Sequence, residues 1–530
     1  MVLPKHSSGP RSHSSRQSLI PQTSGEDIVL DDGTSIVEPE QLDDQTSDQA
    51  GLGRHLGLFS TTLLVVNRII GTGIYSTPGA IIAGVGSVGA ALILWTLGLF
   101  IAFAGLMVWV ELGCMIPRSG GEKVYLEAAY KRPKLLATTI FAFQAILLGF
   151  SANGCIIFAQ YSLIAAGHSA FDSEKRGIAI AVISFITPLH IFLPKWGVRG
   201  MNIVSSIKVV TLVSIVVTGW VVLAGGTLID DPHASFRNPF EGTSRSGHQW
   251  ATALFKVLNS YQGWSNAAYV ANEIKDPVRT LKIAGPVGLG ICGACFLFVN
   301  ISYFAAATPE EVANSGNTVA SLFMKNVFGE TAQRVLSAFI ATSAFGNVMT
   351  VTFAQARVNQ ELAKEGVIPY SRFWASEWPF GSPSAGIFLH FIPSFLVIVA
   401  VPFGDAYNFI LDLEGYPLSI INLFVVIGFF WLRYAHSDAE IPRPFRCWWP
   451  VAALFLCAQV FLIVAPLLRP QGGKGDTSLP YWLYPVVGTM VLVSGAIYWA
   501  VRYKMLPAIG SHHLSRNEHR YERIQSASGE

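Results

Sequence analysis

Twelve apolar runs, centred near residues 68, 101, 150, 185, 211, 262, 294, 347, 393, 419, 458 and 492, limit what this chain can fold into. Each is long enough, or nearly so, to cross a hydrocarbon layer of roughly 30 Å as a helix. Inside that layer every backbone N–H and C=O needs an internal partner, which a helix supplies for itself. Only 13% of the residues are charged and 51% are hydrophobic, whereas a soluble domain carries about 25% charged residues. The expected fold class is therefore an all-α polytopic membrane protein with 12 transmembrane helices.

The first run is interrupted. Asn67 to Ala80 reads N-R-I-I-G-T-G-I-Y-S-T-P-G-A, with Gly71-Thr72-Gly73 near the depth of a bilayer centre. Gly costs about 1 kcal/mol relative to Ala in a helix interior, and Pro78 has no N–H to give, so the run can split into two half-helices. Unwound backbone is tolerated there only where protein or a water-filled cavity satisfies it. The positive end of the second half-helix would face that cavity and suit a carboxylate. Taken alone, the triplet could equally be a small-x-small packing motif. The sixth run decides between the two readings: Asn259, Ser260, Tyr261, Gln262, Gly263, Trp264, Ser265 and Asn266 break its apolar pattern near the middle. Broken helices at corresponding positions, five spans apart, point to an inverted-repeat transporter with a site at the midplane.

Residues 1 to about 55 are rich in Ser, Gly, Asp and Glu and bury too little apolar surface to offset the entropy of ordering, so a disordered tail is expected. Lys5 is its single lysine. Its acidic patch suits either a ubiquitin-ligase adaptor or a solvated segment with no such role. No cleavable signal peptide is visible, and the first span should direct insertion. If the tail is cytoplasmic, the loops on its side hold fifteen Lys and Arg, from Arg118 to Arg446, against about eight in the opposite loops, so both termini are expected inside. A net charge of +2 gives no reason to expect a nucleic-acid partner.

The six cysteines fall within or at the ends of apolar runs, which argues against a disulfide framework. Cys292 and Cys295 form a C-x-x-C with no further ligand nearby, and are expected to be packing residues. No metal or other cofactor is expected. The sequon at Asn300 lies inside an apolar run and should stay unmodified.

Four motifs resemble the amino acid-polyamine-organocation superfamily: I-I-G-T-G-I-Y at Ile69 to Tyr75, E-L-G-C-M-I-P-R-S-G-G-E at Glu111 to Glu122, G-W at Gly263 and Trp264, and A-K-E-G-V-I-P at Ala363 to Pro369. They look closest to its L-type amino acid transporter branch. Within it, N-R-I-I-G-T-G and the K-D-P-V-R-T-L-K-I-A-G-P of Lys275 to Pro286 are similar to the fungal high-affinity methionine permeases. The resemblance spans about residues 55 to 505. It implies a five-plus-five inverted repeat with helices 1 and 6 broken, plus two peripheral helices, working by alternating access. The core would cover 56–434, with repeats at about 56–225 and 250–434, helices 11 and 12 would occupy 446–503, and a C-terminal tail would follow at 504–530. Carried over by position, Ile70, Gly71, Thr72 and Gly73 would hold a substrate carboxylate. Asn259, Ser260, Tyr261, Gln262, Gly263 and Trp264 would line the other side, with carbonyls around Ser260 and Tyr261 receiving the ammonium. A helix N-terminus attracts an anion and a carbonyl end a cation, so the polarity is sound.

Two positions depart from the family pattern. Asn259 replaces the aromatic gate of many L-type relatives, and Gln262 replaces a glycine two residues before the tryptophan. The loop at about 168–176 also lacks the cysteine by which animal members bind a glycoprotein partner, so no disulfide-linked heavy chain is expected.

Charges inside the runs are expensive and call for partners. Lys208, in the fifth run, matches the lysine that in proton-coupled relatives stands where sodium binds in sodium-coupled ones. It would then couple protons, or else serve as a fixed brace between spans 1 and 8. Arg68 precedes the first break and reads as an intramembrane brace or inner gate, with Glu111 and Glu273 the partners that can be named. His190 and His390 are expected to be ordinary buried histidines rather than a proton relay.

The expected function is secondary active uptake of a neutral amino acid such as methionine, with protons, across the plasma membrane. A carrier of another amine, polyamine or choline, and a non-transporting nutrient receptor are the competing readings. An enzyme is not expected, since no nucleophile motif or His and Asp cluster at metal spacing is present.

Overall fold

The computed structural model describes residues 57–116, 120–168, 171–227, 229–265, 274–377, 382–435, 443–470 and 477–505. The expected N-terminal tail, residues 506–530 of the C-terminal one, Asn266 and Glu273 lie outside the described residues. Among the described residues the secondary structure is helical, with no β-strand.

The first run forms three pieces, α1 (Leu58–Ile69), α2 (Gly73–Ser76) and α3 (Pro78–Val85). Helix α1 stops where Ile70 leaves helical geometry, at ψ 88°, and α3 restarts on Pro78, whose missing N–H costs nothing in a first turn. There follow α4 (Val88–Met115), α5 (Leu136–Leu147), α6 (Ala152–Ala166), α7 (Asp172–Phe192), α8 (Pro194–Leu223) and α9 (Gly247–Tyr261). The second half holds α10 (Pro277–Ala306), α11 (Glu330–Lys364), α12 (Ser384–Ala400), α13 (Phe403–Ala435), α14 (Trp449–Val464) and α15 (Leu483–Ala500).

Among the described residues, nine stretches are long and apolar enough to cross a membrane. Of the twelve runs read from the sequence, Ile207–Leu223 and Ser384–Ala400 are shorter apolar helices, and the described part of the sixth forms α9. The protein is thus a multi-pass, all-helical membrane protein. Helix α8 presents one apolar stripe outward, with Ile203 66%, Val210 68% and Trp220 54% exposed, as a lipid-facing surface should.

The third run contains a break that its composition hides. Helices α5 and α6 are separated at 148–151, and His390 of α12 holds the gap. Its Nδ1 donates to Gly149 O at 2.8 Å, its Nε2 meets Ser151 Oγ at 2.9 Å, and Ser394 Oγ accepts from Ser151 N at 3.0 Å. The imidazole is satisfied on both nitrogens, which makes it a structural staple.

An aromatic cluster seats α9 between its neighbours. Tyr261 packs edge-on against Trp95 of α4 at 5.7 Å and lies tilted on Phe296 of α10 at 5.3 Å, and its hydroxyl donates to Trp95 O at 3.3 Å. Rings arranged so contribute about 0.5–1.5 kcal/mol per pair beyond their burial. The end of α9 is thereby fixed beside the first break.

Candidate functional site

Between α1 and α2 the chain is left with donors. Ile70 N–H closes on Val66 O at 2.9 Å, and the next helical bonds are Tyr75 N to Thr72 O at 3.1 Å and Thr77 N to Gly73 O at 2.8 Å. Among the described residues no acceptor meets the N–H of Gly71, Thr72, Gly73 or Ile74. Several carbonyls on either side of the break are taken. Lys208 Nζ donates to Asn67 O, Tyr161 Oη to Tyr75 O at 2.7 Å, Tyr303 Oη to Ile74 O at 3.4 Å, and Ser76 Oγ to Thr72 O at 2.8 Å. The open N–H groups at the start of α2 suit an anion.

The end of α9 supplies the opposite sign. Gln262 N closes on Asn259 O at 3.0 Å, and the carbonyls of the last turn point off the helix end. The two breaks touch. A Cβ on Gly73 would lie 2.6 Å from Ser260 Oγ and 2.9 Å from Ser260 Cα, so only glycine allows this approach. Ser260 Oγ also meets Thr77 Oγ1 at 3.0 Å. Gly263, at φ +121°, lies along Arg68, whose Cγ would be 2.7 Å from an added Cβ. Asn347 of α11 approaches Gly71 from a third side.

The residues named from the sequence divide here. Gly71, Thr72, Gly73, Asn259, Ser260 and Gly263 come together at the two breaks. Ile70 is buried, so it can offer the site only backbone. The Tyr261 ring lies in the aromatic cluster and leaves only its backbone for the site. Trp264 packs on Trp109 at 5.3 Å, and Gln262 is exposed.

Glu111, named as a partner for Arg68, is bound by another arginine. Both its oxygens accept from Arg433 of α13, Nε at 2.8 Å, and Oε2 also accepts from Cys447 N at 2.6 Å. That ties α4 to the segment ahead of α14. Lys208 is 4% exposed and reaches the backbone of α1 through Asn67.

Two groups were missed from the sequence. Lys256 of α9 and Asp412 of α13 form an ion pair at 3.1 Å with both side chains 1% exposed. Tyr407 Oη of α13 meets Ser76 Oγ at 2.5 Å. The available signal was one lysine in the sixth run and D-x-E in the tenth. Among the described residues no group of three or more His, Cys, Asp or Glu could hold a metal ion.

A model of the amino acid permease family matches residues 56–492. The chain is 37% identical to the high-affinity methionine permease of Saccharomyces cerevisiae over 93% of this chain and 86% of that one. It is 32% identical to the low-affinity methionine permease of the same organism, over 86% and 83%. It is also 28% identical to the b(0,+)-type amino acid transporter 1 of Mus musculus, over 84% and 88%.

Proposed function

The chain belongs to the amino acid permease family, and from that premise we propose that it carries neutral amino acids such as methionine into the cell together with protons. The observation that carries this reading is the pair of touching breaks, one rich in open N–H donors and the other ending in carbonyls. A zwitterion fits that pair. Its carboxylate takes the amides of Gly71 to Ile74, and its ammonium takes the carbonyl end of α9. A simple cation or an amine without a carboxylate would leave the donors of the first break unused.

Lys208 is the coupling group in this reading. It holds the carbonyl just ahead of the first break, so a change in its protonation alters the support of α1 directly. The carrier works by alternating access around a five-plus-five repeat, in the plasma membrane, with both termini cytoplasmic and the N-terminal tail available to a ubiquitin-ligase adaptor. Two adjoining cavities of about 490 and 470 Å³ share Ile164, Ser315 and Thr318, and the second reaches Asn408, the neighbour of Tyr407.

Uptake of labelled methionine into proteoliposomes, with and without a pH gradient and against an excess of each unlabelled amino acid, tests the proposal. Saturable, gradient-driven uptake competed by neutral amino acids is expected. Uptake indifferent to the gradient would remove the proton from the mechanism, and competition by polyamines or choline instead of amino acids would remove the substrate assignment.

A further inference from the structure

Helix α2 has four residues and two backbone bonds of its own, Tyr75 N to Thr72 O and Thr77 N to Gly73 O. So short a helix does not set its own direction. Buried contacts from four other helices grip it instead. Tyr161 of α6 donates to Tyr75 O at 2.7 Å, and Tyr303 of α10 donates to Ile74 O at 3.4 Å. Tyr75 Oη donates to Lys208 O of α8 at 3.1 Å, and Tyr407 of α13 meets Ser76 Oγ at 2.5 Å.

Two of these contacts act on the carbonyl end of α2. Thr77 keeps helical backbone angles, φ −88° and ψ −24°, so Ile74 O faces position 78, where a helix would supply its donor. Pro78 has no N–H to give. The hydroxyl of Tyr303 takes the place of that missing donor, and Tyr161 holds the next carbonyl along. Tyr161 is 0% and Tyr303 1% exposed, so both bonds are made in a setting closed to solvent. A helix held at its carbonyl end has its amide end aimed as well, and the amides at that end, Gly73 and Ile74, belong to the open set of the first break.

We propose that Tyr161 and Tyr303 are positioning residues for recognition of the substrate carboxylate, holding the carbonyl end of α2 so that the amides at its other end point into the site. This rests on the assignment of the carboxylate to the first break. The hydroxyls act through the peptide units of Ile74 and Tyr75. Losing one leaves a buried carbonyl that α2 satisfies only by tilting. The tilt spoils the aim of the amides and leaves the ammonium end of the site, at α9, as it was.

The test uses the full chain in proteoliposomes and reads two quantities, the methionine KM for uptake and the inhibition constant of methionine's decarboxylated amine, 3-(methylthio)propylamine. Tyr161→Phe should raise the methionine KM about tenfold, and Tyr303→Phe, which loses the longer bond, about three- to fivefold. The amine's constant should move less than about twofold in both, because the amine makes no use of the amides. Pro78→Ala restores an N–H facing Ile74 O, so adding it to Tyr303→Phe should return the methionine KM to within about twofold of wild type. Added to Tyr161→Phe it should recover nothing, because that N–H serves Ile74 O and not Tyr75 O. Size-exclusion profiles report folding, and a Tyr303→Phe chain that folds only with Pro78→Ala supports the exchange of one donor for the other. The proposal is overturned if both Phe variants keep the wild-type KM, or if each raises the methionine KM and the amine's constant by the same factor. It is also overturned if Pro78→Ala rescues both tyrosine variants alike or neither. A wild type inhibited equally well by the amine and by unlabelled methionine would instead overturn the carboxylate assignment itself.

Discussion

Two lysines are buried beside the broken helices, and they are held in opposite ways. Lys256, 1% exposed, lies 3.1 and 3.4 Å from the two oxygens of Asp412. Lys208, 4% exposed, reaches the carbonyl of Asn67, and among the described residues no carboxylate pairs with it. A charge matched by a buried carboxylate is locked, because removing either partner strands the other. A charge held by a carbonyl dipole has no such counterweight, so its proton can leave without uncovering an opposite charge. The difference separates a fixed anchor for α9 from a group able to change state beside α1.

The largest effect should come from breaking the anchor. Asp412→Leu alone should cost about 3–5 kcal/mol of stability, while Lys256→Met combined with Asp412→Leu should recover most of it. Thermal unfolding of the purified carrier reads both, and equal losses in the single and double variants would show that the pair is no anchor. The next test leaves the lysines alone and moves the breaks. Gly73→Ala places a Cβ 2.6 Å from Ser260 Oγ and should cost about 1–3 kcal/mol, with methionine uptake collapsing. Gly71→Ala meets nothing nearer than Asn347 Oδ1 at 3.6 Å and should transport far better. Similar uptake by the two variants would mean that the approach of the breaks does not matter.

Lys208→Met should be gentle on the fold, about 1 kcal/mol, yet should abolish methionine-driven proton entry. Proton entry measured with a trapped pH dye decides it, and unchanged coupling would make Lys208 the fixed brace between spans. The smallest effect belongs to an ion pair outside the spans. Lys123 pairs with Glu365, whose side chain is 37% exposed, and Lys123→Ala should cost less than about 1 kcal/mol. A loss as large as that of Asp412→Leu would show that burial does not distinguish these pairs.

The breaks were legible in the sequence because glycine, proline and a cluster of polar residues interrupt a pattern that is otherwise apolar. Gly71, Gly73 and Pro78 mark where α1 ends and α3 begins, and Asn259 to Gly263 mark the end of α9. Pairings across the bundle were not legible. Lys256 stands in plain view in the sixth run, but Asp412 lies 156 residues away, and nothing local joins them. Glu111 could be recognised as needing a cation, yet its partner Arg433 lies 322 residues on. The break in the third run is hidden for another reason: Gly149 is its one helix-weakening residue, and the gap depends on His390, Ser394 and Ser151 meeting in space. Tyr161 and Tyr303 likewise cap the carbonyls of the first break from distant helices.

The central claim is that the open amides of Gly71 to Ile74 hold a substrate carboxylate. Binding of methionine to the purified wild-type carrier should be compared with that of its decarboxylated amine, 3-(methylthio)propylamine, by ligand-dependent thermal stabilisation. The two molecules share the side chain and the ammonium and differ only in the carboxylate. Stabilisation by methionine with little or none from the amine is the predicted result. Equal stabilisation by both would contradict the account, because the donors of the first break would then contribute nothing to recognition.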